Sequence, residues 1–221
     1  MDDDAHIPVL FQEAMQYLAI KPGGVYLDAT CGAGGHSSGI LERLEGQGRL
    51  IAVDRDENAL AIASRRLGGF SPRVDFVHEN FSGIGRILDL LQIETIDGVL
   101  ADLGVSSMQF DNPDRGFSFE SDVEIDMRMD RRTGITAADL IRKIKAKELA
   151  GILAEYGEQP MAGRVANAIK RASDSSEALT GRTLRQIVHE ALPKKFVAQS
   201  RIDPATRVFM ALRIADRKSV V

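Results

Sequence analysis

The chain of 221 residues is 44% hydrophobic and 27% charged, a composition that is typical of a soluble globular protein and argues against disorder. Its single cysteine excludes a disulfide scaffold and a cysteine-rich zinc cluster, and its apolar runs are too short to span a bilayer. The acidic start at residues 2–4 differs from the basic start of a secretory signal. We therefore expect a cytoplasmic protein without a membrane partner.

The net charge of −4 is unevenly distributed along the chain. Residues 1–130 contain 10 Lys and Arg against 23 Asp and Glu, whereas residues 131–221 contain 18 against 9. This basic C-terminal part predicts an anionic partner. The solvated faces of surface helices would produce the same excess, so charge alone leaves both interpretations open.

The first hundred residues alternate between helical and strand patterns. After a helix over 8–19, we predict strands over 25–28, 49–54, 74–78 and 97–102, separated by helices over 37–44, 57–67 and 83–91. Ser37 or Ser38 is expected to cap the second helix. Such close alternation predicts an α/β fold in which helices cover both faces of a parallel sheet.

The pattern changes after residue 104. Residues 105–133 are polar and irregular, and helices are predicted over 136–156, 161–172, 184–192 and 205–215, with no further strand. We therefore divide the chain into an α/β part at 1–104 and a basic part at 105–221 that contains the irregular region and the helices.

The strongest local motif is the run D-A-T-C-G-A-G-G-H from Asp28 to His36, which follows a predicted strand and opens a helix. Its glycines allow a tight turn and let a ligand approach the backbone. Asp54 ends the next strand, twenty positions after Gly34, where a carboxylate can accept hydrogen bonds from both ribose hydroxyls. The motif therefore predicts a nucleotide-type ligand.

The details of this loop favour S-adenosylmethionine over a phosphorylated ligand. A dinucleotide fingerprint needs a third glycine, where this chain has Ser37, and a triphosphate loop needs a lysine that is missing here. Asp28 would place negative charge beside the ligand, which repels pyrophosphate but suits an amino group or a sulfonium. The loop favours a methyltransferase, while a nicotinamide-dependent oxidoreductase and a purely structural glycine turn remain alternatives.

Four further residues lie in this loop or after neighbouring strands. Phe81 follows the third strand, where its ring could pack on adenine or simply belong to the core. Asp102 ends the fourth strand, at the edge where ligands of open α/β sheets bind. We interpret Cys31 as a small packing residue and His36 as a loop-ordering residue. No cytosine-C5 nucleophile and no metal site are predicted.

Several longer motifs are more distinctive than the glycine loop. They are H-I-P-V-L at 6–10, D-L-G-V-S-S at 102–107, R-G-F-S-F at 115–119, D-M-R-M-D at 126–130, P-A-T-R at 204–207 and A-L-R-I at 211–214. With these motifs, the chain from about His6 to Ala215 resembles the MraW/RsmH-type family of small-subunit ribosomal RNA (cytosine-N4) methyltransferases.

This resemblance implies a Rossmann-like methyltransferase sheet with an all-helical substrate domain after the fourth strand. It implies S-adenosylmethionine as cofactor, ribosomal RNA in the small ribosomal subunit as partner, and methylation of a cytosine N4 amino group in 16S ribosomal RNA. It assigns no catalytic residue; Asp102 and the backbone of 104–107 are candidates for orienting the amine. The cofactor-binding positions of the family correspond here to Gly34, Gly35, His36, Asp54, Phe81, Asp102 and Gln109.

Family members continue beyond the A-L-R-I motif, so the resemblance also predicts a shortened member whose sheet keeps about four parallel strands. A truncated, catalytically inactive RNA-binding relative is therefore an alternative to an active enzyme. The basic part would hold the RNA backbone, and the candidate residues are Arg128, Arg164, Arg207 and Arg213. For each of these arginines a structural ion pair is the more common role. The sequence specifies no oligomeric state.

Overall fold

The computed structural model describes residues 8–70, 74–103, 113–175 and 178–218. The chain divides into two compact units, Met1–Gly104 and Val105–Val221, which are described separately. Within the described ranges, no helix is both long enough and apolar enough to cross a membrane.

The first unit is built on a four-stranded parallel sheet. Its strands are β1 (Val25–Asp28), β2 (Arg49–Asp54), β3 (Val74–His78) and β4 (Gly98–Leu100), in the sheet order β3-β2-β1-β4. Its helices are α1 (Phe11–Leu18), α2 (Gly35–Arg43), α3 (Glu57–Leu67) and α4 (Ile84–Leu90). The predicted Rossmann-like parallel sheet is confirmed, with β4 shorter than the predicted strand at 97–102.

Burial of both sheet faces explains the continuous apolar run of β2. Leu50 and Ala52 pack in one hydrophobic cluster with Tyr26 of β1. Ile51 and Val53 pack in a separate cluster, which includes residues from α4. Because alternate residues face two different clusters, the strand needs apolar side chains at every central position.

Helix α2 begins without the predicted serine cap. Its N-cap residue is Gly34, in the left-handed region at φ 83°, and no side chain caps the helix there. Ser37 instead donates its hydroxyl to Asp28 Oδ2 at 2.7 Å, and Ser38 donates to the carbonyl of Gly35 at 2.8 Å. The capping prediction is wrong because a buried carboxylate and a local carbonyl bind the two hydroxyls.

In the part that the structure describes, the second unit consists of an irregular segment up to residue 136 followed by helices, and its only β pairing is one isolated bridge between Glu124 and Thr180. Its helices are α5 (Ala137–Lys143), α6 (Ala146–Gly157), α7 (Ala162–Ser173), α8 (Gly181–Ala191), α9 (Lys194–Gln199) and α10 (Pro204–Lys218). The predicted helix at 136–156 is two helices, because Ile144 and Lys145 adopt extended backbone conformations with ψ near 157° and 156°. Helix α9 was not predicted.

Two of the distinctive sequence motifs contact each other in this unit. Arg115 of the R-G-F-S-F motif donates to the carbonyls of Arg128 and Met129 in the D-M-R-M-D motif, at 2.8 and 3.1 Å. Gly116 has φ 66°, and a Cβ there would lie 2.7 Å from Ile125 Cα. These motifs therefore help to fold the second unit, whatever their further roles.

Candidate functional site

The glycine-rich loop of the first unit crosses the carboxyl end of the sheet. Beyond the last residue of β1, Ala29 N donates to the carbonyl of Leu100 in β4 at 2.8 Å. Two residues later, Cys31 N donates to the carbonyl of Val53 in β2 at 2.9 Å. The loop is thereby fixed to both strands that flank β1, at the edge where open α/β sheets bind ligands.

Glycines are required in this loop for reasons internal to the protein. Gly32 and Gly34 have φ values of 53° and 83°, which side-chain-bearing residues rarely adopt. A Cβ on Gly34 would lie 3.1 Å from Leu67 Cδ1, and one on Gly35 would lie 2.5 Å from Pro8 Cγ. The turn and the packing around it therefore account for both predicted glycines, and these contacts by themselves do not identify a ligand.

Thr30 connects the predicted acidic residues around the loop. Its backbone N–H donates to Asp28 Oδ1 at 3.1 Å, and its hydroxyl oxygen accepts the backbone N–H of Asp102 at 2.7 Å. One residue further on, Gly32 N donates to Asp54 Oδ2 at 2.7 Å. Thr30–Gly32 therefore contacts the ends of β1 and β2 and the segment after β4. The sequence offered no signal for Thr30, because its partner lies 72 positions away.

Asp28 does not have the role that the sequence suggested. Its side chain is fully buried, so it cannot place its charge against a ligand, and that prediction is wrong. Burial raises its pKa from 3.8 to about 6, against the opposing effect of the hydrogen bonds from Ser37 and Thr30. Asp28 instead joins α2 to the glycine-rich loop, because it accepts hydrogen bonds from Ser37 and Thr30.

Asp54 is the acidic residue best placed for a ligand. Besides the bond from Gly32, its Oδ1 accepts the backbone N–H of Asp56 at 2.9 Å. Burial raises the pKa of Asp54, while these backbone donors oppose the increase. Asp54 is partly exposed, and a carboxylate has about four acceptor sites, so it can still accept a hydrogen bond from an external hydroxyl.

Phe81 and Asp102 both present accessible side chains after strands of this sheet. Phe81 opens a 3₁₀ turn after β3 and is 43% exposed, so it is not a core residue. The end of β3 is attached to β2 through the bond from Glu79 N to the carbonyl of Asp54, at 3.1 Å. Asp102 is exposed two residues beyond β4.

His36 is buried in the first turn of α2, where its ring stacks on Phe11 with 6.0 Å between centroids. Among the described residues, its Nε2 atom has no hydrogen-bond partner. Cys31 is also buried, and burial together with the nearby carboxylate of Asp28 raises the pKa of its thiol. A neutral, buried thiol agrees with a packing role and is unsuited to nucleophilic attack.

Parts of the predicted site lie outside the described residues. They are Gln109 and the backbone of 104–107. Over the described ranges, no group of three or more His, Cys, Asp or Glu side chains is arranged to hold a metal ion.

The arginines predicted to bind RNA are partly engaged within the second unit. Arg128 forms an ion pair with Asp126 at 2.6 Å, and Arg207 donates to the carbonyl of Glu158. Arg164 is exposed on α7, whereas Arg213 is half-buried on α10. Arg164 is therefore the one of these four whose exposure leaves it open to an external anion.

A cavity of about 740 Å³ lies beside α8 and α9 in the second unit. Its lining includes Leu192 and two arginines, Arg182 and Arg185. Those arginines pair with Asp122 at 2.8 Å and Asp203 at 2.7 Å. The lining also contains one further cation, Lys194, and one carboxylate, Glu190, so the cavity has no excess of positive charge of the kind expected of a phosphate-binding site.

Comparison with known proteins agrees with the sequence resemblance. The profile of the MraW methylase family matches residues 3–218. The chain is 47% identical over 215 residues to the ribosomal RNA small subunit methyltransferase H of Geobacter sp. (strain M21), covering 97% of this chain and 69% of that protein. It is also 47% identical over 209 residues to the protein of the same name from Syntrophotalea carbinolica, covering 95% of this chain and 66% of that protein.

The chain spans about two thirds of the length of these curated relatives. Among solved structures, a putative rRNA-methylase from Clostridium thermocellum aligns with 46% of this chain and 57% of that one, at 20% identity and a TM-score of 0.38. That likeness is too weak to carry an argument. The match of the family profile and the identity to the curated relatives lead to one conclusion: the chain belongs to the MraW methylase family.

Proposed function

We propose that the protein is an S-adenosylmethionine-dependent methyltransferase that methylates the N4 amino group of a cytosine in 16S ribosomal RNA, in the cytoplasm. In this proposal the first unit binds the cofactor and the second unit contacts the RNA of the small ribosomal subunit. The observation that carries it is the convergence of three strand ends on Thr30–Gly32, in a chain of this family.

The described residues of the first unit suit the chemistry of S-adenosylmethionine. Asp54 has lone pairs available for the two ribose hydroxyls, and the exposed ring of Phe81 offers a face for adenine. The unpartnered Nε2 of buried His36 leaves a polar atom for a ligand to satisfy. Gly34 and Gly35 shape the loop. We propose these five residues, with Asp102 and Gln109, as the cofactor-binding set.

The bound cofactor supplies a methyl group on a sulfonium, and the protein must align the acceptor nitrogen with it. Acceptance of a hydrogen bond from the cytosine amine turns its lone pair toward the methyl group. Asp102 is our candidate for this acceptor, because its exposed side chain follows β4 and its backbone is fixed by Thr30. No strong base is required, since the proton leaves an already cationic amine. The cytosine must be unstacked to enter such a site.

The proposal is tested by incubating the chain with methyl-labelled S-adenosylmethionine and small ribosomal subunits that lack the modification. Label in N4-methylcytidine after nuclease digestion of the RNA is the expected result. Calorimetric titration with S-adenosylmethionine and with NAD in parallel tests the cofactor separately. Binding of NAD alone would overturn the methyltransferase assignment, which the family match already supports over an oxidoreductase.

A chain that binds S-adenosylmethionine and RNA but transfers no methyl group would instead be the catalytically inactive RNA-binding relative. In that case the acceptor role of Asp102 is wrong, while the cofactor-binding set stands.

A further inference from the structure

Many arginines of the second unit are compensated by carboxylates, whereas several of its lysines are not. Most arginines on the irregular segment and on α5 and α8 form ion pairs with carboxylates, which compensate most of their positive charge. These arginines are Arg128, Arg131, Arg132, Arg142, Arg182 and Arg185. Charge available to an external partner therefore has to come from other residues.

Three lysines lie within five positions where α5 ends and α6 begins. Lys143 is the last residue of α5, Lys145 is the N-cap residue of α6, and Lys147 lies in the first turn of α6. All three are exposed, and none forms an ion pair with any residue that the structure describes. Three ammonium groups on one short, well-defined turn are thus left to solvent.

A fourth ammonium is fixed beside the same turn. Lys170 on α7 donates its Nζ to the carbonyls of Ile141 and Arg142, at 2.8 and 3.0 Å. Its charge is held by neutral carbonyls at the end of α5 rather than by a carboxylate. We call Lys143, Lys145, Lys147 and Lys170 the lysine patch.

Three acidic residues near the lysine patch reduce its charge without cancelling it. Glu148 accepts the backbone N–H of Lys145 at 2.8 Å and keeps its negative charge, because that donor is neutral. Glu124 and Asp139 both pair with Arg142. The four lysines and Arg142 outnumber these three carboxylates by two charges, so the patch keeps a positive excess.

The lysines do not serve the stability of the helix that they precede. The N-terminal end of an α-helix carries partial positive charge, so cations at Lys145 and Lys147 oppose the helix dipole. A folding role would favour acidic residues at these positions. Lys143 and Lys170 differ, because both lie at the C-terminal end of α5, where cations are favourable. The unfavourable charges at Lys145 and Lys147 are better explained by a partner that carries closely spaced negative charges.

Resting on the proposed function, we propose that the lysine patch binds phosphate groups of the RNA backbone. The neighbouring apolar side chain, Ile144, packs against the core of the unit and leaves the lysines as the exposed groups of this turn. Lysine ammonium groups bind phosphates as point charges without reading sequence. The patch therefore contributes affinity and orientation, and base selection belongs to the first unit.

The test measures binding of a fluorescently labelled single-stranded oligoribonucleotide to the full chain over a series of salt concentrations. The variant K143Q/K145Q/K147Q removes three phosphate contacts. The slope of log K against log salt should become shallower by about 2, and affinity at 0.1 M salt should fall about a hundredfold. A second oligoribonucleotide of unrelated sequence should lose the same factor.

The matched control is K21Q/R65Q/R66Q, which removes three cations from the first unit and changes the net charge equally. It should keep the wild-type slope. Circular dichroism checks folding of both variants, and calorimetry with S-adenosylmethionine should show wild-type affinity in both. An unchanged slope in the lysine variant, or an equal change in the control, would overturn the lysine patch. Wild-type protein that binds S-adenosylmethionine but no RNA would overturn the patch and the RNA part of the proposed function together.

Discussion

Replacement of Asp54 with alanine tests the most specific contact of the proposed cofactor site. Both carboxylate oxygens accept backbone N–H groups, with Gly32 at 2.7 Å and Asp56 at 2.9 Å, which fixes the orientation of the side chain. Loss of charge-assisted hydrogen bonds to the ribose costs about 1–3 kcal/mol. We therefore expect the affinity for S-adenosylmethionine, measured by titration calorimetry, to fall about 5- to 150-fold.

The same substitution also removes the side-chain acceptor of these backbone N–H groups, so a control must separate a loss of cofactor binding from a loss of stability. Asp97 provides it, because its Oδ2 accepts the backbone N–H of Val25 at 2.8 Å, at the opposite end of β1. Asp97→Ala should lower the free energy of unfolding and leave the cofactor affinity unchanged. The reasoning is refuted if Asp54→Ala binds S-adenosylmethionine as tightly as the wild type, or if Asp97→Ala loses as much affinity.

Three further substitutions test the structure around this site. Because burial raises the pKa of Asp28 from 3.8 to about 6, its protonation contributes most to stability below about pH 4, and this contribution is lost as the pH rises through 6. Between about pH 3 and pH 7 the wild type should lose about 3 kcal/mol relative to Asp28→Asn, and urea denaturation that shows a constant difference would contradict this. Gly34→Ala places a side chain at φ 83° and should lower the free energy of unfolding by about 1–2 kcal/mol in chemical denaturation, whereas an unchanged midpoint would disprove strain there. Phe81→Ala should weaken cofactor binding severalfold in calorimetry with little change in melting temperature, and the opposite pattern would indicate a core role.

Local sequence patterns were sufficient to predict most of the first unit. The apolar run of β2 and the alanine-rich pattern of α3 each correspond to one element with the predicted bounds. These patterns work because a strand buried on both faces and an amphipathic helix each impose their own periodicity. The end of β4 was less well predicted, since the length of a strand depends on its neighbour rather than on its own residues.

The errors concern positions where a distant or buried group decides the outcome. Ser37 looks like a helix cap in the sequence, but the buried carboxylate of Asp28 binds its hydroxyl. The same burial removes Asp28 from contact with a ligand, which no local pattern reveals. The break between α5 and α6 at Ile144 was missed because its apolar side chain fits the helical stripe while its backbone is extended. Asp54 ends β2, and Gly34 and Phe81 follow β1 and β3, as predicted; the part of these residues in cofactor binding remains a prediction.

The hydrogen bond from the backbone N–H of Asp102 to the Thr30 hydroxyl connects the proposed cofactor side of the site to the proposed acceptor side. We expect a shift of the glycine-rich loop on cofactor binding to displace the segment after β4, which would contact the acceptor. We therefore expect the affinities for methyl donor and acceptor to be coupled, and Thr30→Ala should weaken this coupling when each ligand is titrated with and without the other.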